Sequence, residues 1–148
     1  MAKEIEHKYI VVTDEYKNLA KKKTHIFQGY LSKDPERIVR IRITDNSGFI
    51  TIKGKTNVDT RAEFEYAVPI EDAKQMLKLC AGKAIEKIRW IVEYSGLTWE
   101  VDEFVNPPVE TIAEVELPYS HHDYLLPPFV GREVTGEKKY YNSNITAG

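Results

Sequence analysis

Charged residues recur at alternate positions in several short segments of this chain. The first segment, Glu4-Ile5-Glu6-His7-Lys8, places two carboxylates and an ammonium at every second residue. In a β-strand alternate side chains point to opposite faces, so these three groups share one face. The alternation returns with arginines at 39–43, with glutamates at 63–65, and again at 87–90, 100–102 and 113–117. Rows of carboxylates suit hard divalent cations, and rows of arginine and lysine suit anions.

Turn signals divide the chain into eight predicted strands. They are 3–12, 24–32, 36–44, 49–54, 61–68, 84–94, 97–105 and 109–117, with helices at 14–23 and 70–79 and short helical turns after residue 119. Asp45-Asn46-Ser47-Gly48 predicts a tight hairpin, and Pro69 suits the entry to the second helix. Strands joined by short connections predict a mainly β (α+β) fold with an antiparallel sheet.

The charged faces distinguish two antiparallel architectures. In a sandwich the charged face would see water, which readily explains one or two such strands. In a closed eight-stranded barrel the charged face would line a lumen that has room for side chains or one small ligand. Because the charges recur in six strands while the opposite faces stay apolar, the pattern favours a closed eight-stranded antiparallel β-barrel with a few short outer helices.

The length and composition set the class of protein. The chain has 148 residues, a formal net charge of -2 and a single cysteine, Cys80. These values predict one domain over residues 1–148 and give no electrostatic reason to expect nucleic acid or an anionic membrane as a partner. No apolar run reaches the ~20 residues of a membrane span, and the charged start does not resemble a secretion signal. We expect a cytoplasmic protein, which a single cysteine suits.

The predicted lumen combines both signs of charge. Confined charges must be paired, hydrated or ligated, and clustered carboxylates repel one another unless a cation lies among them. A polyphosphate bridged by divalent metal would satisfy both sets, because guanidinium groups grip phosphate oxygens and carboxylates bind Mg²⁺ or Mn²⁺. The predicted lumen residues are the acids Glu4, Glu6, Glu63, Glu65, Glu100, Asp102, Glu114 and Glu116 and the bases Lys8, Arg40, Arg42, Lys53, Arg61, Lys87 and Arg89.

Taken in order, these segments resemble the strand motifs of the CYTH domain family, the triphosphate tunnel metalloenzymes. The resemblance spans nearly the whole chain, and it is strongest to short bacterial inorganic triphosphatases. It implies an eight-stranded antiparallel tunnel with the charged residues inside, in agreement with the argument from the faces. The matching motifs are Glu4-x-Glu6-x-Lys8, Val39-Arg40-Ile41-Arg42, Thr51-Ile52-Lys53-Gly54, Arg61-x-Glu63-x-Glu65, Lys87-x-Arg89, Trp99-Glu100-Val101-Asp102, Ala113-Glu114-Val115-Glu116-Leu117, Gly131-x-Glu133-Val134-Thr135 and Tyr140-x-Asn142-Ser143.

The resemblance also implies roles for individual residues. The implied ligands of Mg²⁺ or Mn²⁺ are Glu4, Glu6, Asp102, Glu114 and Glu116. The implied triphosphate-binding residues are Lys8, Arg40, Arg42, Lys53, Lys87, Arg89 and Lys139, the last of them at the tunnel mouth. Glu4, Glu6, Lys8, Glu63 and Glu65 are the implied catalytic residues. His7 stands where many relatives carry arginine, and we expect it to point outward.

Two spatial expectations follow. Glu4, Glu6, Glu114 and Glu116 should form one acidic cluster, with the first and eighth strands approaching each other across the lumen. The tyrosines of the tail, which are Tyr119, Tyr124, Tyr140 and Tyr141, should pack over the barrel rather than bind a nucleoside.

The sequence is compatible with three functions. The first is a metal-dependent hydrolase that cleaves the terminal phosphate of inorganic triphosphate or a short organic triphosphate. The second is an adenylate cyclase, because some family members make cyclic AMP, but no stretch of the chain specifies a pocket for base and ribose. The third is a non-catalytic polyphosphate-binding module, which would have little use for so many carboxylates. The oligomeric state, a monomer or a homodimer, is also open.

Overall fold

The strands of the computed structural model close into a barrel. The structure describes residues 3–82 and 84–145. Its strands are β1 (Lys3–Val11), β2 (Lys22–Ser32), β3 (Arg37–Thr44), β4 (Ser47–Gly54), β5 (Thr60–Val68), β6 (Ile85–Tyr94), β7 (Leu97–Asn106), β8 (Ile112–Glu116) and β9 (Val130–Glu133). The neighbours follow the order β5-β4-β3-β2-β6-β7-β8-β1, and β5 also pairs with β1. The predicted closed eight-stranded antiparallel barrel is therefore confirmed.

The largest apolar cluster lies on the outside of the barrel wall. Trp99, Val101 and Val115 alternate with inward-facing acids along β7 and β8, and they pack under Phe129 from the segment before β9. The helix α1 (Tyr16–Leu19) adds Tyr16 to this cluster. The apolar faces are thus covered from outside, which leaves the charged faces to line the lumen.

The second helix covers another part of the wall. Helix α2 (Ile70–Leu79) packs against β2, β3 and β4. Two glycines permit the close approach: a Cβ at Gly48 would lie 2.6 Å from the Cβ of Ala73, and one at Gly29 would lie 2.9 Å from the Cβ of Cys80. No helix in residues 3–82 and 84–145 is long and apolar enough to cross a membrane.

Two predicted elements differ from the structure. The helix expected at 14–23 is a single turn, because Lys22 and Lys23 pair with Ile91 and Trp90 and so belong to β2. Strand β9 was not predicted; it lies along β1 beyond the point where β5 stops pairing with that strand. The short turns expected in the tail are confirmed as 3-10 helices at Lys138–Tyr140 and Asn142–Asn144.

Candidate active site

A cavity of about 200 Å³ occupies the lumen, and charged side chains form most of its lining. Tyr30, Ile38, Asn142 and Ser143 are the remaining lining residues. Of the lumen residues predicted from the sequence, all but Asp102 and Lys87 line this cavity. Those that do are Glu4, Glu6, Lys8, Arg40, Arg42, Lys53, Arg61, Glu63, Glu65, Arg89, Glu100, Glu114 and Glu116.

The acidic wall is built by two neighbouring strands. Glu6 pairs with Glu116, and Lys8 pairs with Glu114, in the antiparallel register of β1 and β8. The expectation that these strands approach each other across the lumen is therefore wrong. The carboxylates come together because β1 and β8 are adjacent and turn the same face inward. We call the set Glu4, Glu6, Glu114 and Glu116 the acidic wall.

Burial and mutual repulsion perturb the carboxylates on this side of the cavity. Burial and the nearby Glu114 raise the pKa of Glu6 to about 8. Burial and Glu4 also raise the pKa of Glu116 and of Glu63. Glu114 itself behaves differently: burial opposes its ionisation, but the positive charges of Lys8, Arg89 and Lys87 together outweigh burial and hold the pKa at about 2. Carboxylates that crowd one another in this way are stabilised as anions when a divalent cation lies among them.

Two lysines contact these carboxylates directly. Lys53 Nζ donates to Glu4 Oε1 and Oε2 at 3.0 and 2.9 Å. Lys8 Nζ lies 3.4 Å from Glu114 Oε1 and 3.8 Å from Glu6 Oε1. Within the described ranges no three acidic, histidine or cysteine side chains already converge as a metal-binding group. A metal ion at this wall would therefore compete with the two ammonium groups for carboxylate oxygens.

Arginines from β3 and β6 form a basic wall. Arg40 Nη2 donates to Thr51 Oγ1 at 3.1 Å and to Glu65 Oε2 at 3.4 Å, while its buried Nε has no hydrogen-bond partner among the described residues. Arg42 and Arg89 complete the wall. Burial and then the charges of Arg40 and Arg89 lower the pKa of Arg42. Arg40 and Arg89 thus repel the charge of Arg42, and a bound anion would relieve the repulsion.

Three predicted site residues lie outside the cavity. Both oxygens of Asp102 accept hydrogen bonds from Arg89, at 2.8 and 2.9 Å, so this carboxylate positions an arginine instead of facing the lumen. Lys87 is fully buried behind the wall, where its Nζ donates to Asp102 at 2.8 Å and to Asn142 Oδ1 at 3.1 Å. Lys139 does not reach the tunnel mouth; its side chain is 75% exposed, and Nζ lies 3.9 Å from Glu110.

Gln28 is a buried residue behind the cavity lining that the charge pattern of the sequence did not reveal. It is fully buried on β2, directly opposite Arg42 in the register of β2 and β3. Its side chain is neutral, so the search for charged residues at alternate positions did not include it. The alternation of β2 could have shown it, because Gln28 shares the buried face of this strand with Thr24, Ile26 and Tyr30.

The tail covers the barrel through several aromatic residues. Tyr124 packs against Trp99 and bonds to His7, whose ring faces outward as expected. Tyr140 is buried, and the ring of Tyr141 lies 5.4 Å from Lys8 Nζ. The expectation of packing is confirmed for Tyr124 and Tyr140. Tyr119 is instead 59% exposed, with its ring against His122.

Comparison with known proteins decides the family. The model of the CYTH domain matches residues 2–146. The chain belongs to the CYTH domain family. Among the relatives of this CYTH protein is an inorganic triphosphatase from Acetivibrio thermocellus, 43% identical over 147 residues that cover 98% of this chain and 94% of the relative. An inorganic triphosphatase from Nitrosomonas europaea is 27% identical over 148 residues, covering 96% and 95% of the two chains.

Solved structures show the same CYTH fold. The crystal structure of the inorganic triphosphatase NE1496 matches with a TM-score of 0.67 and 25% identity, covering 100% of this chain and 97% of that one. A putative adenylyl cyclase from Hippeastrum matches with a TM-score of 0.62 and 14% identity, covering 78% and 80%. At 14% identity, this second match is evidence for the fold and not for the activity. The family inferred from the strand motifs is thus confirmed.

Proposed function

We propose that this CYTH protein is a divalent-metal-dependent hydrolase that removes the terminal phosphate of inorganic triphosphate or a short organic triphosphate. The observation that carries the proposal is a single lumen with an acidic wall on β1 and β8 and a basic wall on β3 and β6. The cavity of about 200 Å³ is smaller than the ~300–1,000 Å³ of pockets for drug-sized ligands, which suits a compact polyanion. The two relatives named inorganic triphosphatase support the same reaction.

The basic wall would bind the triphosphate. Arg40, Arg42 and Arg89 present planar guanidinium groups, which hold phosphate oxygens by charge-assisted hydrogen bonds. Lys8 and Lys53 reach the lumen from β1 and β4, where they can exchange a carboxylate partner for a phosphate oxygen. Together these cations would stabilise the charge that accumulates on the transferred phosphoryl group and the leaving diphosphate.

The acidic wall would hold Mg²⁺ or Mn²⁺. Oxygen ligands are those that these hard cations prefer. The four carboxylates of the wall outnumber the three cations of the described chain that contact them, which are Lys8, Lys53 and Arg61. When bound, such a cation neutralises phosphate charge and makes a coordinated water more acidic. Glu63 and Glu65 would orient two cations of the cavity. Glu63 lies 3.4 Å from Lys53 Nζ, and Glu65 accepts a hydrogen bond from Arg40.

The cyclase alternative finds less support in the site. A cyclase would need an aromatic or hydrogen-bonding pocket for base and ribose, and Tyr30 is the one aromatic residue of the described chain in the cavity lining. The proposal therefore includes a small-molecule triphosphate as the substrate.

We also retain the cytoplasm as the proposed compartment, in keeping with the single cysteine.

Product analysis with and without metal tests the proposal. We expect phosphate and diphosphate from inorganic triphosphate in Mg²⁺ or Mn²⁺, and no turnover in EDTA. Glu6→Gln and Glu116→Gln should nearly abolish turnover, because each removes a proposed metal ligand. Glu110→Gln, which alters a carboxylate outside the cavity, is the matched control and should keep full activity. Full activity in EDTA would exclude the metal, and cyclic AMP as the main product from ATP would favour the cyclase.

A further inference from the structure

Arg42 differs from the other cations of the cavity in the partner it contacts. Each of the others forms an ion pair with a carboxylate, namely Lys8, Arg40, Lys53, Arg61 and Arg89. Arg42 forms no ion pair with any carboxylate in residues 3–82 and 84–145. It donates instead from Nε and Nη2 to the neutral amide oxygen of Gln28, at 3.0 and 2.7 Å.

The hydrogen bonds around Gln28 fix which way its amide points. Gln28 Nε2 donates to the hydroxyl of Tyr30 at 3.2 Å and to Asn142 Oδ1 at 3.5 Å. Asn142 Oδ1 also accepts from Lys87 Nζ at 3.1 Å, so that atom is an acceptor and the facing atom of Gln28 is a donor. The other end of the Gln28 amide, the oxygen, must then face Arg42.

This geometry leaves one edge of the Arg42 guanidinium available. Gln28 uses the edge formed by Nε and Nη2. The second edge, formed by Nη1 and Nη2, has the spacing that binds two oxygens of a phosphate group. A carboxylate in place of the amide would hold Arg42 in the same orientation but would also compensate its charge.

We propose that Gln28 is a positioning residue that orients Arg42 for the triphosphate while leaving the positive charge of Arg42 uncompensated. The inference rests on the proposed function, because it takes the anion in the lumen to be the triphosphate. Gln28 acts only through Arg42 and does not touch the substrate. Because no carboxylate neutralises Arg42, a bound phosphate stabilises this cation more than the other cations of the cavity.

The isosteric substitution Gln28→Glu tests this role. It keeps the shape and the contact to Arg42 but supplies a negative charge, so the affinity for inorganic triphosphate should fall roughly tenfold to hundredfold. The ion pair to Arg42 stabilises this variant, whereas the loss of the Nε2 donor to Tyr30 and Asn142 destabilises it, so binding is titrated at a temperature where the melting curve shows the variant to be folded. Gln28→Met removes the anchor without adding charge and should weaken binding less, with a lower melting temperature. Gln75→Glu makes the same chemical change on the exposed face of α2 and should bind like the wild type.

Two readouts separate this inference from the proposed function. Calorimetric titration with inorganic triphosphate in metal-free buffer reports binding, and turnover in Mg²⁺ or Mn²⁺ reports hydrolysis. A wild-type chain that binds but does not turn over would refute the proposed function and leave the binding comparison to decide the role of Gln28. A wild-type chain that neither binds triphosphate nor turns it over would refute both.

A comparison in the Arg42→Ala background completes the test. If Gln28 acts through Arg42, Gln28→Met should change triphosphate affinity little once Arg42 is absent. Additive effects of the two substitutions would overturn the inference. So would equal affinities for Gln28→Glu and the wild type, or a greater loss of affinity in Gln28→Met than in Gln28→Glu, which a merely structural role predicts.

Discussion

Arg37 and Arg40 lie on the same strand, β3, but point to opposite faces. Arg37 is exposed and pairs with Asp34, whereas Arg40 is buried in the cavity lining with its Nε unpartnered among the described residues. A charge-assisted hydrogen bond to phosphate contributes ~1.5–3 kcal/mol, so Arg40→Ala should lower kcat/KM for inorganic triphosphate by roughly tenfold to hundredfold. Arg37→Ala, the matched control, should leave it unchanged. Identical kinetics for Arg40→Ala and the wild type would show that Arg40 does not contact the substrate.

The pairing of two strands explains why Asp102 supports the site without facing it. Arg89 and Asp102 are direct partners in the register of β6 and β7, and Lys87 approaches from the same side. Asp102 thus supplies the counter-charge for two buried cations. Burial opposes ionisation of Asp102, but Arg89 and Lys87 outweigh it and hold the pKa far below its usual range.

Replacing this carboxylate should cost stability in a pH-dependent way. Asp102→Asn should lower the free energy of unfolding at pH 7 by ~3–5 kcal/mol, since it leaves buried cations unpaired. The stability due to a depressed pKa is complete above the ordinary carboxyl value of ~3.9 and is lost as the pH falls through the folded-state pKa. The difference between variant and wild type should therefore shrink on acidification.

Urea unfolding of both proteins at several pH values measures this difference. Glu93→Gln, which alters an exposed carboxylate on β6 paired with Lys21, is the control and should show no such loss. Equal stability of Asp102→Asn and the wild type at pH 7 would contradict the assigned role. A difference that grew on acidification would contradict the sign of the pKa shift.

The bounds of some elements depended on partners distant in sequence. Alternation and turn residues predicted the eight barrel strands, because both are local signals. The lysines at 22 and 23 looked helical, and only pairing with β6 makes them strand. The four residues of β9 are too few to show alternation, and they are strand because β1 offers them an edge.

At the scale of the whole barrel, the sequence predicted which residues line the lumen better than what each contacts. Alternation decides whether a side chain points inward, and it predicted most of the cavity lining. It cannot decide which inward charges pair with one another. Asp102 and Glu100 share a face of β7, yet only Glu100 lines the cavity. Asp102 instead accepts hydrogen bonds from Arg89 and Lys87. Gln28 was missed for the complementary reason, because a neutral residue gives no charge signal.

The shape of the whole molecule bears on the choice of substrate. The barrel encloses about 200 Å³ behind polar and charged groups, and the tail tyrosines Tyr124 and Tyr140 are engaged in packing. A nucleoside would add bulk and lost freedom without compensating contacts in the cavity. We therefore expect kcat/KM for inorganic triphosphate to exceed that for ATP and for thiamine triphosphate.

Steady-state kinetics on the three substrates under one metal condition measure this preference. Tyr119→Ala is an informative companion, because Tyr119 is the exposed tyrosine after β8 and could contact a nucleoside only from outside the lumen. We expect the ratio between inorganic triphosphate and ATP to be unchanged in this variant, since the discrimination comes from the cavity itself. A tenfold preference of the wild type for ATP or thiamine triphosphate would refute the substrate choice. It would leave the barrel and the two charged walls as described, and a loss of that preference in Tyr119→Ala would then place the nucleoside site at the segment after β8.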